Sequence, residues 1–168
     1  MSLKKVPFGE LDAFHVIIEV PAGSSQRYEH DHELDVIKLV GTLHEGVVYP
    51  FNYGYVPQTE SGDGAPLDAF VVSAFPIARG TVAECRAIGM IELLDRGHAD
   101  NKIIAVPTHD RALEHIRDLG DLPVGDASAF REFYANMARQ WQRDIIIKNF
   151  LDKAAARKEL LRTQISGD

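Results

Sequence analysis

Short apolar runs, each closed by glycine, proline or aspartate, occupy the first two-thirds of the chain. Runs of this kind are typical of β-strands separated by turns. The predicted strands cover residues 14–20, 34–40, 67–72, 81–94 and 102–107. Gly89, inside the fourth run, indicates a bulge or a bend in that strand. Several short strands at this spacing favour a small β-barrel.

The period of the pattern changes in the last third of the chain. Bulky residues recur there at helical spacing, namely Phe130, Phe133, Tyr134 and Met137. They predict a helix over about residues 127–140, with Asp126 as its N-cap. A short strand over residues 143–148 and a second helix capped by Asp152 follow. The predicted fold class is therefore α+β, a barrel with flanking helices.

Composition narrows the classes of function. The 168 residues suit a single domain, residues 1–168, that buries its own core. The chain carries 25 acidic and 18 basic residues, and this formal net charge of −7 argues against a general nucleic-acid binder. No apolar stretch approaches the roughly 20 residues that span a bilayer. One cysteine excludes an intrachain disulfide, and the N-terminus lacks a secretory signal, so we expect a cytoplasmic protein.

Two pairs of aspartates lie in glycine-containing turns next to predicted strands. Asp63 and Asp68 form the first pair, and Asp95 and Asp100 form the second. Hard divalent cations such as Mg²⁺ prefer oxygen ligands on exposed loops, and an acidic chain that handles an anionic substrate usually needs such ions. Aspartate and glycine are also common in ordinary turns. The spacing alone does not decide between a metal site and two ordinary turns.

Further polar residues stand near these turns. Glu19 ends an apolar strand, and Arg27 and Glu29 are two residues apart, which points both to one face of a strand. Lys102 follows the second aspartate pair and could add a fixed positive charge. Three tyrosines, Tyr49, Tyr53 and Tyr55, are read mainly as packing, with a hydroxyl available from one of them. His30 and His32 are expected on an exposed strand, and their spacing does not favour zinc.

Taken in order, these segments resemble the soluble family I inorganic pyrophosphatases. The resemblance is strongest at residues 49–55, continues at 63–68 and 95–102, and covers most of the chain. It implies a five-stranded OB-like β-barrel with flanking helices. It also implies hydrolysis of inorganic pyrophosphate to two phosphates, with Mg²⁺ or another hard divalent cation as cofactor. A homo-oligomer, in bacterial members commonly a hexamer, is a further expectation from the resemblance.

The resemblance also assigns roles to individual residues. The implied metal ligands are Asp63, Asp68, Asp95, Asp100 and Glu19. The implied phosphate contacts are Arg27, Tyr53, Lys102 and Tyr134. Tyr53, Lys102 and Arg27, together with the outer acidic residue Glu29, are the predicted catalytic residues. Arg27 stands where many members have lysine, which keeps the charge but replaces a point donor with a planar fork.

Three positions depart from the family pattern. Ala65 stands where the family has the carboxylate thought to receive the proton of the attacking water. Gly41 replaces an arginine, with Lys38 as a candidate substitute, and Ala135 replaces a lysine. Loss of a general base typically costs about a hundredfold to ten-thousandfold in rate. Two alternatives therefore stand beside pyrophosphate hydrolysis: action on another phosphoanhydride, and a non-catalytic protein that binds metal or phosphate.

Overall fold

A computed structural model describes residues 1–165 of the chain. Within that range the strands are β1 (Gly9–Glu10), β2 (Ala13–Val20), β3 (Gln26–Asp31), β4 (Val36–Thr42), β5 (Asn52–Val56), β6 (Leu67–Val71), β7 (Val82–Asp95), β8 (His98–Ala99), β9 (Lys102–Pro107) and β10 (Ile145–Asp152). The helices are α1 (Val124–Trp141) and α2 (Lys153–Thr163).

Five strands close into a barrel. Their order is β2-β5-β6-β9-β7, and β7 pairs with β2 to complete the ring. The β6–β9 pairing is parallel, and the other four pairings are antiparallel. Strand β10 adds to the outer side of β7, and β3 and β4 form a separate two-stranded hairpin. The predicted five-stranded barrel with flanking helices is confirmed.

Gly89 marks an irregularity in the long strand β7. The register of β7 against β9 shifts between Ala87 and Gly89. A Cβ atom at Gly89 would lie 2.8 Å from the carbonyl oxygen of Leu151 and 3.0 Å from a methyl carbon of Leu119. The predicted bulge is confirmed, and close packing from β10 explains why it carries no side chain.

The barrel strands are buried on both faces. In β9, Ile103 and Ala105 belong to a core cluster that includes residues of α2, whereas Ile104 and Val106 belong to a cluster that includes residues of α1. Alternate side chains of a strand point to opposite faces, so one apolar run serves both clusters. The aromatic face of α1 is therefore held against the barrel.

The predicted helices occur, with one corrected boundary. The side chains of the predicted aromatic face of α1 are all buried. The helix begins at Val124 after Pro123, and Asp126 lies in its first turn, so Asp126 as N-cap was wrong. The fixed φ of proline suits a helix start, and an acidic residue in the first turn interacts favourably with the helix dipole. Asp152 caps α2 as predicted, because its carboxylate accepts from the backbone N–H of Ala155 at 3.0 Å.

Candidate active site

The barrel, the β3–β4 hairpin and the last turns of α1 border one cavity of about 790 Å³. Every site residue predicted from the sequence lines it, namely Glu19, Arg27, Glu29, Tyr53, Asp63, Asp68, Asp95, Asp100, Lys102 and Tyr134. These residues come from separate strands, from the loops before β6 and β9, and from α1. Closure of the barrel therefore brings together residues up to 115 positions apart in sequence.

Lys102 is the central cation of the cavity. Its ammonium donates to Asp68 at 2.6 Å and to the Tyr53 hydroxyl at 3.2 Å, and it lies 3.1 Å from an oxygen of Asp100. The side chain of Lys102 is only 6% exposed, so its charge needs these partners. Burial alone would lower the pKa of Lys102, but the Asp68 carboxylate and its neighbours raise that pKa well above its ordinary value. The ammonium therefore stays charged at neutral pH.

Asp63 lies in the loop before β6 and is held by hydrogen bonds within that loop. One Asp63 oxygen accepts from the Ser61 hydroxyl at 2.7 Å and from the backbone N–H of Ala65 at 3.0 Å. The Ser61 hydrogen bond is the largest influence on the pKa of Asp63 and lowers it; burial opposes this shift, and the Ala65 N–H adds to it. Gly64 has φ 81° in this turn, a conformation that favours glycine. Asp63 is thus ionised and directed by its own turn.

Glu19 is a buried carboxyl at the wall of the cavity. It accepts from the backbone N–H of His30 at 2.6 Å. Burial raises the pKa of Glu19 to about 8, although the His30 N–H opposes that shift. His30 itself is buried, and its ring contacts Asp35 at 2.9 Å and the Tyr55 hydroxyl at 2.6 Å. The expectation of a solvent-exposed His30 was wrong, because this network satisfies both of its ring nitrogens.

Three tyrosines of the cavity, Tyr49, Tyr53 and Tyr134, keep their phenolic protons. Burial raises the pKa of Tyr53 well above its ordinary value, and it raises those of Tyr49 and Tyr134 as well. A protonated phenol can donate a hydrogen bond to an anionic oxygen. Tyr49 is the accepting partner of the Arg27 guanidinium at 3.4 Å, a contact that the packing interpretation of Tyr49 did not anticipate.

The hairpin places Gly41 next to Arg27. Gly41 pairs with Arg27 across β3 and β4, and a Cβ atom at Gly41 would lie 3.7 Å from a terminal nitrogen of Arg27. The Arg27 side chain therefore runs through the space beside Gly41. Lys38, the candidate substitute, donates to Asp31 at 3.3 Å and is not among the residues that line the cavity.

Among the residues of the cavity wall that sequence reasoning did not identify are Trp141 and Arg143. Arg143 donates to an Asp95 oxygen at 3.3 Å, and its guanidinium carbon lies 5.0 Å from the centre of the Trp141 ring. Arg143 had been assigned to a strand that follows the helix. The signal was weak, because Gln142 has φ 49° and turns the chain at this point, and such a turn has no clear sequence signature.

The carboxylates of the cavity suit a hard divalent cation, since they supply oxygen ligands and no thiolate. Within residues 1–165, however, no three acidic, histidine or cysteine side chains are grouped closely enough to form a ready-made cation site. The Lys102 ammonium lies between two of the predicted ligands, Asp68 and Asp100. The donor chemistry fits a metal, and the protein side chains are not preassembled around one.

Comparison with known proteins decides the family. The family model described as inorganic pyrophosphatase matches residues 16–166, which is most of the chain. The chain belongs to the inorganic pyrophosphatase family. Membership of this family implies a divalent metal cofactor, in agreement with the oxygen ligands of the cavity.

Individual pyrophosphatases agree with this assignment. The chain is 36% identical over 164 residues to an inorganic pyrophosphatase of Thermus thermophilus, covering 95% of this chain and 94% of that protein. It is 45% identical over 133 residues to one of Saccharolobus solfataricus, covering 78% and 75% respectively. The structure of an inorganic pyrophosphatase from Coxiella burnetii matches with a TM-score of 0.90 at 34% identity, over 94% of this chain and 97% of that one.

Among residues 1–165, no helix is both long and apolar enough to cross a bilayer.

Proposed function

We propose that the chain hydrolyses inorganic pyrophosphate to two phosphates and that it uses Mg²⁺ as its metal cofactor. One observation carries the proposal: acidic residues, buried tyrosines and the charged Lys102 converge on one cavity in a member of the pyrophosphatase family. A phosphoanhydride is highly anionic, so a protein that cleaves it needs both metal ligands and fixed cations.

The proposed metal ligands are the carboxylates of the cavity wall, Asp63, Asp68, Asp95, Asp100 and Glu19. Divalent cations bound there would supply positive charge that stabilises the transferring phosphoryl group and acidifies a water molecule. Glu19 is largely protonated at neutral pH in the metal-free protein, because burial raises its pKa to about 8. Metal binding at Glu19 would therefore release a proton.

The proposed phosphate contacts are Arg27, Tyr53, Lys102 and Tyr134. Lys102 holds a permanent charge at the base of the cavity and can donate to a phosphate oxygen as it now donates to Asp68. Tyr53 and Tyr134 offer neutral O–H donors, which hold a phosphate oxygen without adding charge. Glu29, on the hairpin, contributes a further carboxylate to the wall and is proposed as catalytic.

Phosphate release from pyrophosphate tests the proposal. We expect release in Mg²⁺ and none in chelator, and we expect Asp68→Asn to lower the rate by about 100-fold or more, since it removes a proposed ligand of the metal ions that stabilise the transition state. Asp144→Asn is the matched control, because Asp144 is exposed and lies outside the cavity.

Folded wild-type protein that releases no phosphate would refute pyrophosphate hydrolysis. Full activity of Asp68→Asn would refute the assignment of Asp68 to the site. Faster cleavage of another phosphoanhydride would favour the altered substrate. Metal binding without turnover on any phosphoanhydride would favour the non-catalytic alternative.

A further inference from the structure

We propose that Trp141 positions Arg27 and Arg143 as a pair of phosphate-binding cations, which makes Arg143 a further substrate-binding residue of this chain. The inference rests on the proposed hydrolysis of pyrophosphate. It concerns two residues, Trp141 and Arg143, to which the sequence analysis gave no role in the site.

The first observation is the geometry around the indole ring. The guanidinium carbon of Arg27 lies 4.2 Å from the centre of the Trp141 ring, and that of Arg143 lies 5.0 Å from it. Both distances are within the roughly 6 Å over which a cation is attracted to an aromatic face. All three side chains line the cavity. Trp141 therefore connects two cations that come from different parts of the fold, the hairpin and the segment after α1.

The second observation is that each arginine is restrained from another side. Arg27 extends past Gly41, where a Cβ would approach its terminal nitrogen to 3.7 Å, and it donates to the Tyr49 hydroxyl at 3.4 Å. Arg143 donates to Asp95 at 3.3 Å, and its side chain is 31% exposed. A guanidinium carries five N–H donors, and the contact with Asp95 uses one of them. Arg143 thus has a fixed position and donors to spare for a phosphate.

The third observation is the balance of charge in the cavity. Its wall is rich in carboxylates, which repel a pyrophosphate anion. Lys102 already lies within 3.1 Å of both Asp68 and Asp100. Arg27 and Arg143 are the guanidinium groups of the wall, and guanidinium groups bind phosphate oxygens through two parallel N–H donors. Their pairing at Trp141 supplies the cationic surface that the substrate requires.

Calorimetric binding of methylenediphosphonate, a non-hydrolysable analogue, in the presence of Mg²⁺ tests the role of Arg143. We expect Arg143→Gln to bind the analogue about 10- to 100-fold more weakly, the usual effect of losing a charge-assisted hydrogen bond. Arg143→Lys should be intermediate, because it keeps the charge and loses the planar fork. Mg²⁺ affinity measured without the analogue should not weaken in Arg143→Gln, because Asp95 loses only a competing cation.

Arg96→Gln is the matched control. Arg96 contacts the same carboxylate, Asp95, at 3.2 Å, but its side chain is 62% exposed and does not line the cavity. We expect Arg96→Gln to bind the analogue as the wild type does. Equal affinities of Arg96→Gln and Arg143→Gln would overturn the role of Arg143.

Trp141 is tested as a positioning residue by a pair of substitutions. Trp141→Leu removes the aromatic face while both arginines remain, and we expect about 10-fold weaker analogue binding with a higher KM. Trp141→Phe keeps a ring and should restore most of the affinity, and thermal unfolding checks that both variants fold. If Trp141→Phe binds no better than a folded Trp141→Leu, the positioning role is wrong.

These results separate the inference from the proposed function. Wild-type protein that neither binds the analogue nor releases phosphate would refute both. If the wild type binds the analogue and releases phosphate while Arg143→Gln binds the analogue as tightly as the wild type, the result would support hydrolysis and refute only the role of Arg143.

Discussion

At the scale of single residues, several charged side chains of the cavity are paired with side chains of opposite charge. Lys102 is almost fully buried and contacts two carboxylates, so removal of either carboxylate would weaken the compensation of a buried charge. Asp95 is shared by Arg96 and Arg143. A metal ion that binds these carboxylates, as proposed above, would have to replace interactions that already exist, and this replacement would set part of the metal affinity.

Ala65 is the residue whose effect on rate is most directly testable. It is exposed in the turn that presents Asp63, so a carboxylate at position 65 would face no packing obstacle. We expect Ala65→Asp to raise the rate of pyrophosphate hydrolysis about a hundredfold or more, because a general base near the attacking water contributes that much.

Initial rates of phosphate release in Mg²⁺ measure this effect. Ala65→Asn is the matched control, since it has nearly the same shape and cannot accept the proton. Equal rates for Ala65→Asp and wild type would show that the missing carboxylate does not limit this protein.

At the scale of elements, strand β5 depends on a glycine. A Cβ atom at Gly54 would lie 1.9 Å from the carbonyl oxygen of Ile17 on β2, a distance that no side chain can occupy. We expect Gly54→Ala to lower the free energy of unfolding by about 3 kcal/mol or more, because the barrel would have to open between β2 and β5.

Urea denaturation measures that loss. Gly62→Ala is the control, since no atom lies within 4 Å of a Cβ placed there. A Gly54→Ala variant as stable as Gly62→Ala would mean that the two strands separate at little cost.

The turn between α1 and β10 determines where the Arg143 side chain lies. Gln142 adopts φ 49° after the last helical residue, and the backbone N–H of Arg143 bonds to the carbonyl of Ala138 at 3.1 Å. This turn directs Arg143 back to Asp95 instead of along the helix axis. The helical pattern predicts the aromatic face of α1, but it does not specify the direction of the chain after the helix ends.

At the scale of the whole molecule, we predict that the chain forms a homo-oligomer, and specifically a hexamer as the family resemblance implies. Several large apolar side chains of the β3–β4 hairpin are exposed, namely Leu34, Val36, Leu39 and Val40. Exposed apolar clusters often mark protein–protein contacts.

Size-exclusion chromatography with light scattering measures the particle mass directly. The expected result is six times the mass of one chain, retained on dilution to the concentration used for activity. A mass equal to one chain would contradict the assembly and would show that the hairpin is exposed in solution.

Much of the fold and of the site follows from the sequence. The spacing of apolar residues predicts β9 at its actual bounds and β2, β6 and β7 to within a residue or so, because burial on a regular element imposes its period on the sequence. The order of the aspartate, tyrosine and lysine segments, through the resemblance, predicts ten residues that all line one cavity. The sequence can therefore identify cavity residues that lie in a recognisable turn or strand.

Only the tertiary structure decided how those residues meet. The parallel pairing of β6 with β9 places Lys102 opposite Asp68, and the hairpin places Glu19 and Tyr55 against a buried His30. These contacts join residues 11 to 34 positions apart, and they follow from closure of the barrel and from packing of the hairpin against it. Local periodicity carries no information about that closure. For the same reason only the tertiary structure places Trp141 and Arg143 in the cavity wall.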